Sequence, residues 1–479
     1  MFGMTTIPGV AVPQQVRRPV VLAVCCMSLF IVGLDNTIVN LALPSIRVDL
    51  DASVTNLQWT IDAYTLVLAS LLMLSGSTAD RLGRRRTFQT GLVLFGLGSL
   101  LCGIAPNAGL LVTFRAVQAI GGSMLNPVAL SIITNTFTEP RERARAIGVW
   151  AGVVGLSMAV GPVLGGALVG WAGWRSIFWI NVPVTLAAVV LTAVFVPESR
   201  APHPRRLDPV GQVLVIVVLA GLTYGIIEGR VAGWGSVEII GCFVLAGLAL
   251  AALIPYERRR VDPLLELRFF RSVPFSGATL LAVSGFAALA GFLFLNSLYL
   301  QETRGFSALH AGLLTLPMAA VTAVCAPLSG RLVAARGPRL PLIVAGTGIT
   351  AAGVVLSGLT PDTPVVVLVL AYAVFGAGFG MLNAPITNSA VSGMPRAQAG
   401  LAAAVASTSR QVGISLGVAV IGTVAAAQGS APGVSRTGWA IVTGCGLLVL
   451  LLGLVTTGRW ARATAAAVVE TNRNVSATP

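Results

Sequence analysis

The chain has 479 residues, 55% of them hydrophobic and only 10% charged, with a mean hydropathy of +0.87. A soluble chain carries about a quarter charged residues, so this one cannot clothe two or three soluble domains. Its 31 basic residues, all Arg, outnumber 17 acidic ones for a net charge of +14, yet no basic, aromatic-studded soluble face accompanies them to receive nucleic acid, and two His with six dispersed Cys make no zinc site.

A helical span needs about 20 mostly apolar residues to cross ~30 Å of hydrocarbon. Windows of that kind fall, in chain order, near 20–43, 57–78, 88–105, 109–134, 146–169, 177–196 and 209–228. They continue near 237–256, 273–299, 308–333, 340–359, 364–390, 400–425 and 439–459. The sequence thus predicts an all-α polytopic membrane protein of fourteen transmembrane helices. The pair at 209–256, with Glu228 and a Gly/Trp turn around Trp234, is the least regular; reading it as one re-entrant element breaks the charge alternation.

That alternation is strong. With the N-terminus inside, the inner segments hold 24 Arg: Arg17 and Arg18, Arg81 to Arg86, Arg141 to Arg145, Arg200 to Arg206, Arg258 to Arg271, Arg331 to Arg339, Arg396, and Arg459 to Arg473. The outer loops hold five, namely Arg47, Arg175, Arg230, Arg304 and Arg436, while Arg115 and Arg410 fall within spans. This is the positive-inside pattern, and it predicts both termini in the cytoplasm. Arg17-Arg18 before an apolar run imitates a secretory signal. The run carries Asp35, Asn36 and Asn40 and lacks a small-residue cleavage site, so it reads as a retained first span. Residues 1–17 and 463–479 read as disordered cytoplasmic tails. All six Cys lie in apolar spans, where they act as small hydrophobes without disulfides.

The chain repeats itself at a spacing of about 255 residues. Gly121-Gly122-Ser123-Met124-Leu125-Asn126-Pro127 is echoed by Gly378-Phe379-Gly380-Met381-Leu382-Asn383-Ala384-Pro385, and Pro140-Arg141 by Pro395-Arg396. Gly76 to Arg86 has a degenerate partner in Gly330 to Arg339. Repeated halves of six spans are a transporter signature, with the substrate path between them. The predicted division is a six-helix bundle over 18–200, an inserted helix pair with flanking loops over 201–262, and a second six-helix bundle over 263–462.

Intramembrane acids and bases are costly and normally face a cavity and pair. Asp35 lies about eight residues from the outer end of span 1, and Asp62 and Arg115 about six from the ends of spans 2 and 4. At 1.5 Å per residue all three sit ~10 Å below the external surface. Desolvation and a nearby cation pull a carboxyl there in opposite directions, which suits proton loading and release; a static ion pair fixing helix packing is the simpler alternative. Asp62, beside Trp59 and Tyr64, is placed to attract a cationic substrate, whereas Trp59 also suits an interfacial anchor. Asn36 and Asn40 can hydrate a carboxyl or contact substrate. Arg410 lies near the bilayer centre with no acid at its depth in spans 9–14, leaving Gln411, Asn383, Asn388, backbone carbonyls or an acid across the interface as partners. Glu228 and Glu302, near outer span ends, read as solvated.

Four stretches resemble, in order, signatures of the 14-span drug:proton antiporters of the major facilitator superfamily, the EmrB/QacA-type multidrug exporters. They are Asp35-Asn36-Thr37-Ile38-Val39-Asn40-Leu41-Ala42-Leu43-Pro44, Gly76-Ser77-Thr78-Ala79-Asp80-Arg81-Leu82-Gly83-Arg84-Arg85-Arg86, Arg115 to Gly121, and Gly155 through Gly161-Pro162-Val163-Leu164-Gly165-Gly166. The likeness extends to Trp174-Arg175, Asn181-Val182-Pro183 and Pro263 to Phe270. It implies a major facilitator fold; Asp80, between Gly76 and Gly83, and Arg81, Arg84, Arg85 and Arg86 can latch the cytoplasmic side by pairing and helix-end contacts. The Gly-Pro stretch marks exporters in that family, though tight packing also explains its glycines. The second-half copy of the loop lacks an acid matching Asp80.

The resemblance implies a monomeric plasma-membrane exporter of lipophilic drugs or antibiotic-like compounds, cations among them. It works by alternating access, draws on the proton gradient without a cofactor, and has small substrates, protons and the bilayer as partners. The absence of an acid in 308–333 argues against a strong preference for dications. A dedicated exporter of one endogenous antibiotic or siderophore is the alternative, and a passive channel, which has no need of Asp35, a more distant one. No nucleophile–base set, metal cluster or nucleotide loop supports an enzyme.

Overall fold

The structure, a computed structural model, describes residues 14–201, 207–260, 263–391, 399–427, 434–458, 460–461 and 463–464. The predicted tails 1–17 and 463–479 therefore lie almost wholly outside the described residues, as do Arg205, Arg206, Arg396, Arg459, Arg462 and Arg473.

The chain is helical throughout. The first part contains α1 (Gln14–Asp49), α2 (Val54–Leu82), α3 (Arg84–Gly103), α4 (Ala108–Ser123), α5 (Leu125–Thr136), α6 (Pro140–Ala172), α7 (Ser176–Trp179) and α8 (Asn181–Phe195). Next come α9 (Pro209–Ala232) and α10 (Val237–Arg259). A 3-10 turn, Leu267–Arg271, leads to α11 (Val273–Leu298), which runs into a π-helical turn at Tyr299–Thr303. The last part is α12 (Ala308–Arg336), α13 (Arg339–Ser357), α14 (Val365–Gly380), α15 (Asn383–Val391), α16 (Ala399–Ala427) and α17 (Arg436–Thr456). Helices start where a short polar side chain can take an orphan amide: Ser53, Asn107, Asp208, Ser236, Ser307 and Ser435 each accept from an N–H of the first turn.

Among the described residues, twelve helical segments, from Arg18–Asp49 to Arg436–Thr456, are long and apolar enough to cross a membrane, against the fourteen predicted. The two that fall short are α3 and α6. In α3, Arg84, Arg85, Arg86 and Gln89 occupy the first two turns and dilute its hydropathy. In α6, the side chains at 140, 144, 151, 154–155 and 158–159 lie outside the described residues, and Val160–Ala172 is the continuous apolar stretch among the rest. Exposed large apolar side chains, such as Leu97, Val190, Leu248, Leu328, Leu370 and Leu451, stud the outward faces, as befits a protein whose solvent is lipid.

The two parts pack alike. In the first, α1 contacts α5, α6 and α8, α4 contacts α2 and α3, and α3 contacts α8. In the second, α11 contacts α15, α16 and α17, α14 contacts α12 and α13, and α13 contacts α17. Both breaks in the fourth span of each half, α4/α5 at Met124 and α14/α15 at Met381-Leu382, fall in the repeated Met-Leu-Asn. The halves meet along two matching seams, α6 on α12 and α16 on α2. The extra pair is asymmetric: α9 packs on α10 and also on α2 and α16, so it covers the second seam.

Candidate functional site

A cavity of about 850 Å³ lies between the halves. Its deep wall includes Asn36, Asn40 and Ile61, and it widens past Gly76, Asp80, Ser131, Leu207, Asp208, Pro263, Leu264 and Leu401 toward the face that bears the α2–α3 loop. The charged residues bordering it are Asp80, Asp208 and Arg410. Apolar side chains such as Leu29, Val32, Phe286, Leu289 and Leu293 cover much of the rest. Several polar atoms along it are buried without a hydrogen-bond partner: Asn126 Oδ1, Asn383 Oδ1, Trp150 Nε1, Gln411 Oε1 and Arg410 Nε. Unmet polar groups in an apolar cleft are what a ligand with a few hydrogen-bonding groups would satisfy.

Arg410 finds its partners close by in its own half. Its guanidinium donates to Thr387 Oγ1 at 2.6 Å and Ser407 Oγ at 3.2 Å, and sits 6.0 Å from the Phe286 ring. Among the described residues, neither Asn nor an acid across the interface serves it.

Asp35 and Arg115 come together, but away from the cavity surface. Both side chains are essentially fully buried and paired at 2.5 Å. Asp35 also accepts from Gln118 Nε2 at 3.0 Å and Asn181 Nδ2 at 3.5 Å. Arg115 donates in addition to Gln118 Oε1 at 2.7 Å and the Thr60 carbonyl at 3.0 Å, and lies 4.2 Å from the centre of the Tyr64 ring. Because α1 runs on through Pro44 to Asp49, Asp35 is about fourteen residues, ~21 Å, from its end. It is therefore deeper than the apolar window 20–43 implies. Its neighbour Asn36 faces the cavity, one helical step round.

Asp62, Trp59 and Tyr64 are not among the residues lining the cavity. Asp62 is fully buried where α2 meets α9 and α16; Thr65 and Ser415 reach its carboxyl, and Oδ2 has no hydrogen-bond partner. Trp59 donates to Glu228 Oε1 at 2.7 Å and packs on Tyr224, so it engages the inserted pair. Tyr64 supplies the ring beneath Arg115. Glu228 and Glu302, expected to be solvated, are both bonded.

The face opposite the cavity mouth is sealed by hydrogen bonds from one half to the other: Arg47 to Glu302 at 2.8 Å, Ser297 to the Asn40 carbonyl, and Gln301 to the Leu41 carbonyl at 3.0 Å. Gln58 adds to the set, donating to Val418 O, Ala419 O and Thr423 Oγ1 at 2.9–3.2 Å. The Gly-Pro stretch of α6 sits in the first seam. A Cβ on Gly166 would fall 2.5 Å from the Ala308 carbonyl of α12, and one on Gly312 would strike the Pro162 carbonyl. Gly161 and Gly165 face the other way, against Thr37 and Ile38 of α1. Gly155 belongs to the same helix, but its surroundings lie outside the described residues.

At the open face, the α2–α3 loop is held within its own half. Asp80 pairs with Arg84 at 2.9 Å and its carbonyl accepts from the Ala201 amide. Glu198 takes the Arg85 and Arg86 amides at 3.1 and 3.3 Å. Gly83 turns the chain at φ 117, a left-handed conformation that suits glycine, and a Cβ there would strike the Glu198 carboxyl. Gly76 borders the cavity, and Arg81 ends α2. Sequence reasoning missed Gln118, Asn181, Asn126, Trp150, Gln58 and Glu198. Gln118, three residues after Arg115 and so on the same helix face, was the most legible signal; Asn126 and Asn383 were visible as a repeat but not as cavity residues.

A family profile, Major Facilitator Superfamily, matches residues 25–418. The chain is 36% identical over 405 residues to the Multidrug resistance protein Stp of Mycobacterium tuberculosis, covering 85% of this chain and 75% of that one. It is 38% identical over 412 residues to the Tetracenomycin C resistance and export protein of Streptomyces glaucescens, covering 86% and 76%. A crystal structure of a D-xylose–proton symporter superposes with a TM-score of 0.65 at 17% identity, over 91% of this chain and 96% of that one. Twin bundles, a cavity at their interface and these kinships agree: the chain is a membrane transporter, not an enzyme, and belongs to the Major Facilitator Superfamily.

Proposed function

We propose that the chain is a proton-coupled exporter of lipophilic drugs or antibiotic-like compounds, working by alternating access as a monomer in the plasma membrane. In this reading it has fourteen spans, α3 and α6 among them, and both termini are cytoplasmic. The observation that carries the reading is the cavity between the halves, open at the Arg-rich face and closed at the other by bonds from one half to the other. With the Arg-rich face in the cytoplasm, this is the state that loads cargo from inside. Turning outward requires breaking the Arg47–Glu302, Gln58 and Gln301 contacts and opening the α6–α12 seam, where the Gly161 to Gly166 stretch acts. The domain division 18–200, 201–262 and 263–462 serves this motion, two bundles rocking about the cavity.

Asp35 is the proton carrier in this reading. It is paired with Arg115 here; taking up a proton would leave Arg115 to Gln118, the Thr60 carbonyl and the Tyr64 ring, so the pair has two arrangements a gradient can bias. Asp62, with one unmet oxygen at the α2–α9–α16 contact, is a second protonatable group. Substrate is held by Asn36, Asn40 and Arg410, with Asn126, Asn383, Gln411 and Trp150 beside them. Among the described residues, Arg410 is the cation in the cavity's inner wall and the acids, Asp80 and Asp208, are at the mouth, so neutral or acidic lipophilic compounds fit better than cations.

The test is efflux of a lipophilic dye from inside-out vesicles with and without an imposed proton gradient. Gradient-dependent transport that collapses with a protonophore is expected; flux indifferent to the gradient makes the protein a passive channel and overturns the proposal. Arg410→Gln should raise KM for acidic or phenolic cargo about tenfold or more, the value of a charge-assisted hydrogen bond, and leave neutral cargo little changed. The alternative of a dedicated exporter draws on the tetracenomycin C relative, and predicts that a single compound class outcompetes all dyes.

A further inference from the structure

Two carboxyls to which the transport reading gives no proton meet at the rim of the cavity. Asp208 caps α9: its Oδ1 accepts from the Gly211 amide and from the Tyr256 hydroxyl, both at 2.9 Å. Glu257, in the last turn of α10, directs Oε2 to the Leu264 and Leu265 amides at 2.9 and 3.5 Å. The remaining oxygens, Asp208 Oδ2 and Glu257 Oε1, are buried and have no hydrogen-bond partner, in side chains that are 4% and 2% exposed. They converge over Gly211: a Cβ there would lie 2.7 Å from the first and 2.6 Å from the second, so the oxygens are no more than 5.3 Å apart.

Among the described residues, the charges around them do not balance two ionised carboxyls. Arg260 is the cation facing the pair, its Nε 3.8 Å from Asp208 Oδ2 without a hydrogen bond, while its Nη2 turns to the Leu207 carbonyl. On α10, Arg258 and Arg259 point to solvent. In the segment after it, Glu266 is matched to Arg268 at 3.7 Å. Near the cap, α2 offers α9 the Ser70 carbonyl, which takes Gln212 Nε2. Like charges this close and this buried do not both ionise cheaply; one proton between them removes the repulsion and gives one orphaned oxygen a donor.

We propose that Asp208 and Glu257 hold a single proton between them, forming a proton-binding site at the cavity rim, separate from the Asp35–Arg115 pair and from Asp62. The uptake is simple: one carboxylate takes a proton from water and donates the resulting O–H toward its partner. The site bears on the linker to the second half, because the other oxygen of Glu257 fastens Leu264 and Leu265, and Leu207, Asp208, Pro263 and Leu264 border the cavity. Losing the proton sets the two carboxylates against each other and loosens that linker. Only this consequence rests on the cavity being the transport path; the proton itself is measured in protein that transports nothing.

The experiment is infrared difference spectroscopy of the purified full-length protein in lipid nanodiscs, titrated from about pH 5 to about pH 9, well above the ordinary carboxyl range. A protonated-carboxyl C=O band, shifted in heavy water, should persist to neutral pH where the pair is intact and be lost in both Glu257→Gln and Asp208→Asn. Each variant keeps the contacts that matter for folding: the amide introduced by Glu257→Gln retains an oxygen for the linker amides, and Asn is as good a helix cap as Asp. Proton release across the same range should fall by one per molecule in either variant. With Asp62→Asn as the background for all samples, a band that survives both substitutions, or its absence near neutral pH when both carboxyls are present, overturns the proposal. Asp35→Asn serves as the control that leaves this band in place.

Discussion

Replacing Asp35 by Asn removes one charge and reverses one hydrogen bond in a fully buried cluster. The Asn oxygen can still accept from Gln118, but its NH2 faces the Arg115 amine across 2.5 Å, donor against donor. Stranding one member of a buried ion pair costs about 3–5 kcal/mol. Arg115 keeps Gln118 Oε1 and the Thr60 carbonyl, and the Tyr64 ring at 4.2 Å contributes about 2 kcal/mol to a desolvated cation. These contacts are common to both proteins and cancel in the difference, so the destabilisation of this conformation is about 3–5 kcal/mol, read as a lowered thermal midpoint. Removing both partners, Asp35→Asn with Arg115→Gln, should recover most of that loss, because no charge is left unpaired. Transport should not follow stability. In proteoliposomes with an imposed proton gradient, both variants should fail to accumulate substrate against its own gradient. Uphill transport by Asp35→Asn would refute the assignment of Asp35 as proton carrier, and a double variant no more stable than the single would refute the ion-pair accounting.

Two further outcomes are expected. Reporter fusions after residues 205, 260 and 479 should all signal cytoplasm; an external signal at 260 would remove α9 and α10 as a crossing pair. Gly166→Leu should wedge the α6–α12 seam, since even a Cβ meets the Ala308 carbonyl at 2.5 Å, and lower efflux at least tenfold with membrane levels kept, as should Gly161→Ala with Pro162→Ala at lesser severity. Normal pumping by these variants would make the stretch ordinary packing.

The helical membrane class could be read from apolar runs and Arg alternation, because both report directly on the bilayer. Apolar runs measure hydrocarbon, however, and not helix: α1 continues through polar and proline residues to Asp49, which is why Asp35 lies deeper than its window suggests. The Asp35–Arg115 pairing was foreseeable, since buried opposite charges at similar depth seek each other. Direction was not. Nothing in the spacing of Trp59, Asp62 and Tyr64 tells that α2 turns that face to Arg115 and the inserted pair and gives the cavity to Ile61, Leu72 and Met73. Sealing contacts such as Gln58 with Val418, Ala419 and Thr423 join residues about 360 positions apart, a relation no local pattern encodes.

The inserted helix α9 has a consequence for how cargo arrives. It is moored to the first half by Gln212 on the Ser70 carbonyl and to the second by Thr423 on the Ile226 carbonyl. It thus curtains one flank of the molecule, the α2–α16 side, while the α6–α12 flank has no such cover among the described residues. A greasy compound dissolved in the inner leaflet meets a wall of protein from one direction and a bare junction from the other. For cargo that enters sideways from lipid, α9 bars the α2–α16 flank and leaves the α6–α12 flank as the side on which such entry would have to occur.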